Sequence, residues 1–295
     1  MTSVHTDPEI PDVTQPDDVA RPSWSLRNKL TIALALLILG AIAFVAVAAP
    51  YLGTVDPTAI DPGARLRRIS EAHWLGTDAF GRDVYSRVFF GARVSLVVGL
   101  GAAVLSVTFG LAIGAVAGYF RAVDSIVMRL MDGLMAIPGI LLAIALVALS
   151  GASVVTVIIA ISMPEIPRVV RLVRSVVLTI RHEPYVEAAT ALGTRPIVLL
   201  LRHIVPNTIP PIIVQGTFIF ASAMLTEASM SFLGIGLPPE IPSWGNIMAE
   251  GRIYFQMLPG LILYAGLGLT LTVLSVNVLG DVMRDVLDPR LGQRL

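Results

Sequence analysis

The chain has 295 residues, 55% hydrophobic and only 14% charged, with a mean hydropathy of +0.79; so few charges cannot clothe a soluble globule, which excludes an ordinary water-soluble domain. Basic and acidic residues balance at 21 each, giving no electrostatic sign of nucleic-acid binding. Cysteine is absent, excluding disulfides, thiolate metal sites and cysteine nucleophiles, and the single lysine, Lys29, leaves no G-x-x-x-x-G-K-[ST] loop for nucleotide phosphates.

Residues 1–29 are rich in Pro and Asp and lack apolar periodicity, so they are expected to be a disordered tail. No short apolar core follows a basic start, so this is not a cleavable signal peptide, and residues 30–50 are expected to stay as a first transmembrane helix. Uncharged stretches then occupy residues 30–55, 94–120, 133–164, 204–226 and 253–280. Each exceeds the roughly 20 residues that cover a hydrocarbon core of about 30 Å. The third holds more than one crossing needs, and Ser150, Gly151, Ala152 and Ser153 supply a turn within it. Split there, it gives one span from near Ser125, carrying Arg129 and Asp132 in its first turns, and another from about Val154 toward Val177. The expected fold is therefore all-α and polytopic, with six transmembrane helices: a permease core over 94–282, an extracytoplasmic segment at 51–93 and a C-terminal tail at 283–295.

With six spans both termini share one side. Placing them in the cytoplasm puts fourteen of the 21 basic residues in or beside it, whereas the long 51–93 segment, with six arginines, votes the other way.

The segment between the fourth and fifth spans is patterned beyond what a connector needs. Glu183 and Pro184 suit the first turn of a helix, Gly193 its end, and Ala188, Ala189 and Ala191 leave it thin enough for close approach. An ordinary interfacial connector is the alternative on these residues alone. In the second span, Ala102, Ser106, Gly110, Gly114 and Gly118 put a small residue at every fourth position, a signal for tight helix packing first and for a path lining second. Glu227 is the one acid deep in an apolar stretch, near the outer end of span five, where pairing with an outer arginine competes with a substrate contact. Arg168, Arg171 and Arg174 form a basic face read as snorkelling to headgroups, and Asp281, Arg284, Asp285 and Asp288 as a salt-bridged helix end. The four histidines are scattered and offer no metal-binding spacing.

Glu187-Ala188-Ala189, then Gly193, then the Ile-Val-Pro-Asn run at 204–207, resembles the EAA loop of membrane subunits of binding-protein-dependent ABC importers. Further blocks are similar to the C-type permeases of the dipeptide and oligopeptide branch: His73-Trp74-Leu75-Gly76-Thr77-Asp78, Gly81-Arg82-Asp83, Glu227-Ala228-Ser229, Pro242-Ser243-Trp244-Gly245, and the run from Asn277 to Arg290. His203, before Ile204, fits that branch. Met163-Pro164-Glu165-Ile166-Pro167 departs from it, and its two prolines are expected to kink the end of span four.

The resemblance implies a type I ABC importer permease fold in a bacterial inner membrane. The 183–207 loop would carry a coupling helix in which Glu187, Ala188, Ala189, Gly193 and Arg195 engage an ATPase subunit, with Arg202 as a further candidate contact. It implies as partners a homologous B-type permease, two ABC ATPase subunits, an extracytoplasmic solute-binding protein, a peptide substrate and membrane lipid. ATP and Mg would belong to the ATPase subunits, with no cofactor and no catalysis in this chain. A secondary transporter or channel is the rival reading; it would require inverted halves or several charges at midplane, and this chain offers chiefly Glu227.

Overall fold

The computed structural model describes residues 26–287, and among these it is all-α, with one isolated antiparallel bridge between Thr77 and Asp83. Helix α1 (Leu26–Ala48) starts earlier than expected, taking residues 26–29 out of the predicted tail; residues 1–25 lie outside the described part. One stripe of it, with Ala35, Ile42 and Ala46, packs inward, while Leu30, Leu34, Leu37 and Phe44 point outward, the pattern of a helix facing lipid on its other sides.

Helix α2 (Val84–Tyr119) has 36 residues, about 54 Å at 1.5 Å per residue, and so overshoots the hydrocarbon core. It begins ten residues before the uncharged stretch because Asp83 caps it, accepting from Ser86 N at 2.8 Å. Arg87 and Arg93, expected in an outer segment, are therefore helical.

The third span is corrected. Instead of one helix from Ser125, an amphipathic α3 (Arg121–Met135) meets a short apolar α4 (Gly139–Ser150) at 87°. Pro138 disfavours helix at Ile137, so α3 stops just before it. The turn at 150–153 falls where expected: Gly151 takes φ +83°, and Ser153 caps α5 (Val154–Ile180), accepting from Thr156 N at 3.1 Å. Helix α5 runs without interruption through Pro164 and Pro167.

Helix α6 (Pro184–Ala191) is followed by α7 (Pro196–Leu199), a π turn at Leu200–Ile204, a 3-10 turn at Val205–Thr208, and α8 (Ile209–Phe232). Helix α9 (Trp244–Ile253) has no counterpart in the sequence reading, which began its last span at Ile253; α10 (Gly260–Leu287) starts later. Among the described residues Asp281, Arg284 and Asp285 form no ion pair with one another, and Asp288 lies outside them.

Four helical stretches are long and apolar enough to cross a membrane alone: Asn28–Tyr51, Val84–Tyr119, Pro196–Phe232 and Gly260–Leu287. The bent pair α3–α4 makes a fifth. Helix α5 is long enough, but Glu165, Arg168, Arg171 and Arg174 keep it outside that group. Helices α2 and α5 pack along their length at the centre, with α8 against α2, α10 against α8 and α1 against α10. One apolar cluster, with Val173, Val177, Val186 and Leu199, lies at the α6 end; another, with Val84, Ala92, Trp244 and Leu261, lies at the α9 end.

Candidate functional site

Helix α6 is eight residues long and stands at one end of the bundle. Glu183 is its N-cap and Pro184 its first residue; Val186 N and Glu187 N donate to Glu183 O at 2.9 and 3.1 Å. At the other end Gly193 takes φ +81°, its N–H donating to Thr190 O, while Thr194 N donates to Ala189 O. That pair of bonds is a Schellman cap, which requires the left-handed residue that glycine supplies without strain. A Cβ at Gly193 would meet nothing within 4 Å, so φ alone makes the demand.

Val186 is buried and fastens α6 to the cluster with Val177, Leu199 and Ile204. Glu187, Ala188 and Ala191 face outward, Ala189 is half-buried, and Leu192 is 88% exposed. Asn207 ties α6 to the 3-10 turn, its Nδ2 donating to Tyr185 Oη and to His203 O. Arg195 is the N-cap of α7 and, like Arg202, is exposed. The structure thus places Glu187, Ala188, Gly193 and Arg195 together on one exposed knob between α5 and α8.

The basic face of α5 is not given over to headgroups. Arg174 makes a bidentate pair with Asp124 of α3, with Nη2 2.6 Å from Oδ2; Arg171 reaches Asp132, and Arg168 bonds Glu165 at 2.9 Å. The snorkelling expectation is corrected: two acids eight residues apart on α3 meet arginines three apart on α5, clamping the bent third span to the helix that leads into α6.

Gly110, Gly114 and Gly118 face α5. A Cβ at Gly110 would fall 2.4 Å from Val169 Cβ, at Gly114 2.8 Å from Val170 O, and at Gly118 2.8 Å from Val177 Cβ. These positions are packing contacts within the chain, and the path-lining alternative has no room there.

At the opposite end Glu227 is 1% exposed. Oε1 accepts from Ser231 Oγ and from Ser243 Oγ, both at 2.9 Å, and Oε2 has no partner. Among the described residues no arginine reaches it, so of the two alternatives the ion pair is not formed. The outer arginines serve a different network. Arg82 Nε bonds Asp78 Oδ2 at 2.5 Å, Arg82 Nη2 bonds Glu250 Oε2 at 2.7 Å, and Arg87, also buried, lies 3.4 Å from Asp78. Burial, reinforced by the charge of Asp78, pushes the Glu250 carboxyl above its ordinary range, against the pull of Arg82 and Arg87.

Ala79 N also donates to Glu250 Oε1, and Trp244 joins in, its Nε1 donating to Val88 O and its N to Ser95 Oγ. Segment 76–95 and helix α9 therefore form one body. Gly81 within it is obligatory: φ is +77°, and a Cβ would overlap Asp61 O. Sequence reasoning singled out the blocks that hold Asp78, Arg82 and Trp244 but missed Glu250. Its only local signal was the Pro-Ser-Trp start of α9, where Ser243 caps the helix by accepting from Asn246 N.

Long apolar helices around a tightly packed centre, with an exposed knob at one end and an ion-paired body at the other, mark an integral membrane protein. The chain belongs to the family of binding-protein-dependent transport system inner membrane components, whose model matches residues 106–293. It is 52% identical over 250 residues to a probable peptide ABC transporter permease protein of Sinorhizobium fredii, covering 84% of this chain and 85% of that one. A dipeptide transport system permease protein of Alkalihalophilus pseudofirmus is 40% identical over 266 residues, covering 90% and 87% respectively. A glutathione transport system permease protein of Pectobacterium atrosepticum is 39% identical over 268 residues, covering 90% and 89%.

Proposed function

We propose that this chain is the C-type permease subunit of an ATP-driven peptide importer of the bacterial inner membrane, forming half of the translocation path. Its partners in this reading are a homologous B-type permease, two ABC ATPase subunits that hold ATP and Mg, and an extracytoplasmic binding protein that delivers the peptide. Counting α5 as a crossing gives six spans, with α6 and both termini in the cytoplasm and α9 outside.

The observation that carries the reading is α6: a helix of eight residues, opened by Pro184, closed by the cap at Gly193, anchored by the buried Val186 and otherwise presenting Glu187, Ala188 and Leu192 to solvent. Such a knob is stiff enough to transmit force and thin enough to seat in a groove on the ATPase. Closure of the ATPase pair on ATP would move α6 and, through its short connections, α5 and the Pro196–Phe232 stretch, opening the path to cargo; hydrolysis would reset it.

Substituting Gly193→Pro removes an N–H that caps α6 and forbids φ +81°, and Glu187→Arg puts positive charge in the helix's first turn. Peptide uptake by cells expressing either variant should be abolished while the protein stays in the membrane with its partner permease. Normal uptake through both variants would reduce α6 to a connector and refute the coupling role.

A further inference from the structure

Away from the features above, one cavity joins a free charge to an apolar floor. It encloses about 430 Å³ between segment 53–83 and the start of α10, with Arg68 at its rim and Leu75, Val84, Leu258, Leu261 and Tyr264 among its walls. Val84 opens α2 and Gly260 opens α10. Gly260 begins the apolar run of α10, so the cavity sits where that span leaves the hydrocarbon, beside the part of α2 that stands above it, and Tyr264 lies where interfacial aromatics concentrate. Below it, Leu263 and Leu267, 61% and 60% exposed, descend along α10 at helical spacing from Gly260 and Tyr264. Above it, exposed Arg68 has no ion pair or side-chain hydrogen bond among the described residues.

We propose that this cavity binds one phospholipid with an anionic headgroup, its phosphate on the Arg68 guanidinium and an acyl chain running past Tyr264 onto Leu263 and Leu267. The guanidinium fork matches phosphate oxygens, and its positive charge favours a headgroup with net negative charge over a zwitterion. A peptide fits less well. It would bring an ammonium and several amides, yet the lining holds no acid, and its polar side chains are those of Arg68 and Tyr264. The bound lipid would hold the loop carrying Arg68 and Leu75 against the start of α10, and this inference stands independently of the transported substrate.

The test uses the full chain purified with its co-eluting subunits in a zwitterionic detergent. Adding phosphatidylglycerol should raise the thermal midpoint by several degrees and leave one lipid bound in native mass spectrometry, whereas phosphatidylcholine should do neither. Arg68→Gln should lose both effects while keeping the lipid-free midpoint. Arg252→Gln should keep them, since Arg252, the exposed arginine stacked 4.7 Å from the Phe232 ring, carries the same charge at the same end. Equal losses in both variants would mean general surface attraction and overturn the site. The same shift from inorganic phosphate alone would make it a simple anion site, and protection by dialanine in place of lipid would make it a peptide subsite; either result overturns the proposal.

Discussion

Gly114→Ala should destabilise the protein although alanine is the better helix former. The added carbon would lie 2.8 Å from Val170 O, 2.8 Å from Val173 Cβ and 3.1 Å from Val170 Cα. Ordinary carbon contacts fall at about 3.5–4.0 Å, so the shortfall is about 0.7–1.2 Å, and none of these atoms can turn away because each is backbone or Cβ. Helices α2 and α5 must separate, and overpacking of this kind costs about 1–3 kcal/mol. Against it stands the helix propensity of alanine over glycine, about 1 kcal/mol. The net loss is therefore up to about 2 kcal/mol. Gly40→Ala in α1 is the matched control, because its Cβ would meet nothing within 4 Å and only the propensity gain remains. Thermal midpoints of the two purified variants, followed by size-exclusion chromatography, should move in opposite directions. If they move together, the small-residue row is not a packing seam and the α2–α5 geometry is wrong. A transport defect at Gly114→Ala with an unchanged midpoint would restore the path-lining reading.

Charge reversal should expose the α3–α5 clamp. Arg174→Asp and Asp124→Arg each replace a bidentate pair by two like charges, while the double reversal restores the attraction; the coupling should be about 0.5–1 kcal/mol for so half-exposed a pair. Midpoints of the three variants measure it, and a double variant as unstable as the sum of the singles would remove the clamp from the fold. Glu250→Ala should be far more damaging, because buried Arg82 and Arg87 then share Asp78 alone, and breaking a buried pair costs about 3–5 kcal/mol. Glu250→Gln, which keeps an acceptor, should retain more of the folded yield from membranes; equal yields for the wild type and Glu250→Ala would show the network to be dispensable.

What could be read from the sequence was what is locally encoded. The turn at Gly151, the opening of α6 at Glu183–Pro184 and its close at Gly193 each depend on residues within a few positions, and each lies where the pattern put it. The third span was misread because the uncharged run from 133 outweighed the amphipathic pattern before it. Arg129 and Asp132 were assigned to the span's first turns instead of to a separate helix at right angles. Long-range pairings left no local trace: Asp124 is 50 residues from Arg174, and Ala79 is 171 from Glu250. Arginines three apart look like an anchoring face until the acids opposite them are known. Glu227 was legible as costly, but its solution was not, since Ser243 sits beyond the end of α8, 16 residues further along the chain.

The two ends of the bundle are held by different means, and the difference bears on how it can work. At the α9 end, Asp78, Arg82, Arg87 and Glu250 are largely withdrawn from water, and Glu227 is bonded to the cap of α9, so α2, α8 and α9 are joined by bonds whose removal leaves charge stranded. At the α6 end, helix α6 itself is held by the buried Val186, the half-buried Ala189 and the bond from Asn207 to Tyr185, with no buried ion pair among the described residues. Between the two, the regular helical ladder of the Pro196–Phe232 stretch is interrupted only at Leu200–Thr208, by a π turn and a 3-10 turn, with Pro206, Pro210 and Pro211 withholding amide donors there. The irregular backbone thus lies beside α6 and far from Glu227. A displacement of α6 therefore meets the compliant part of the span first, while the bolted α9 end provides the fixed frame against which it acts.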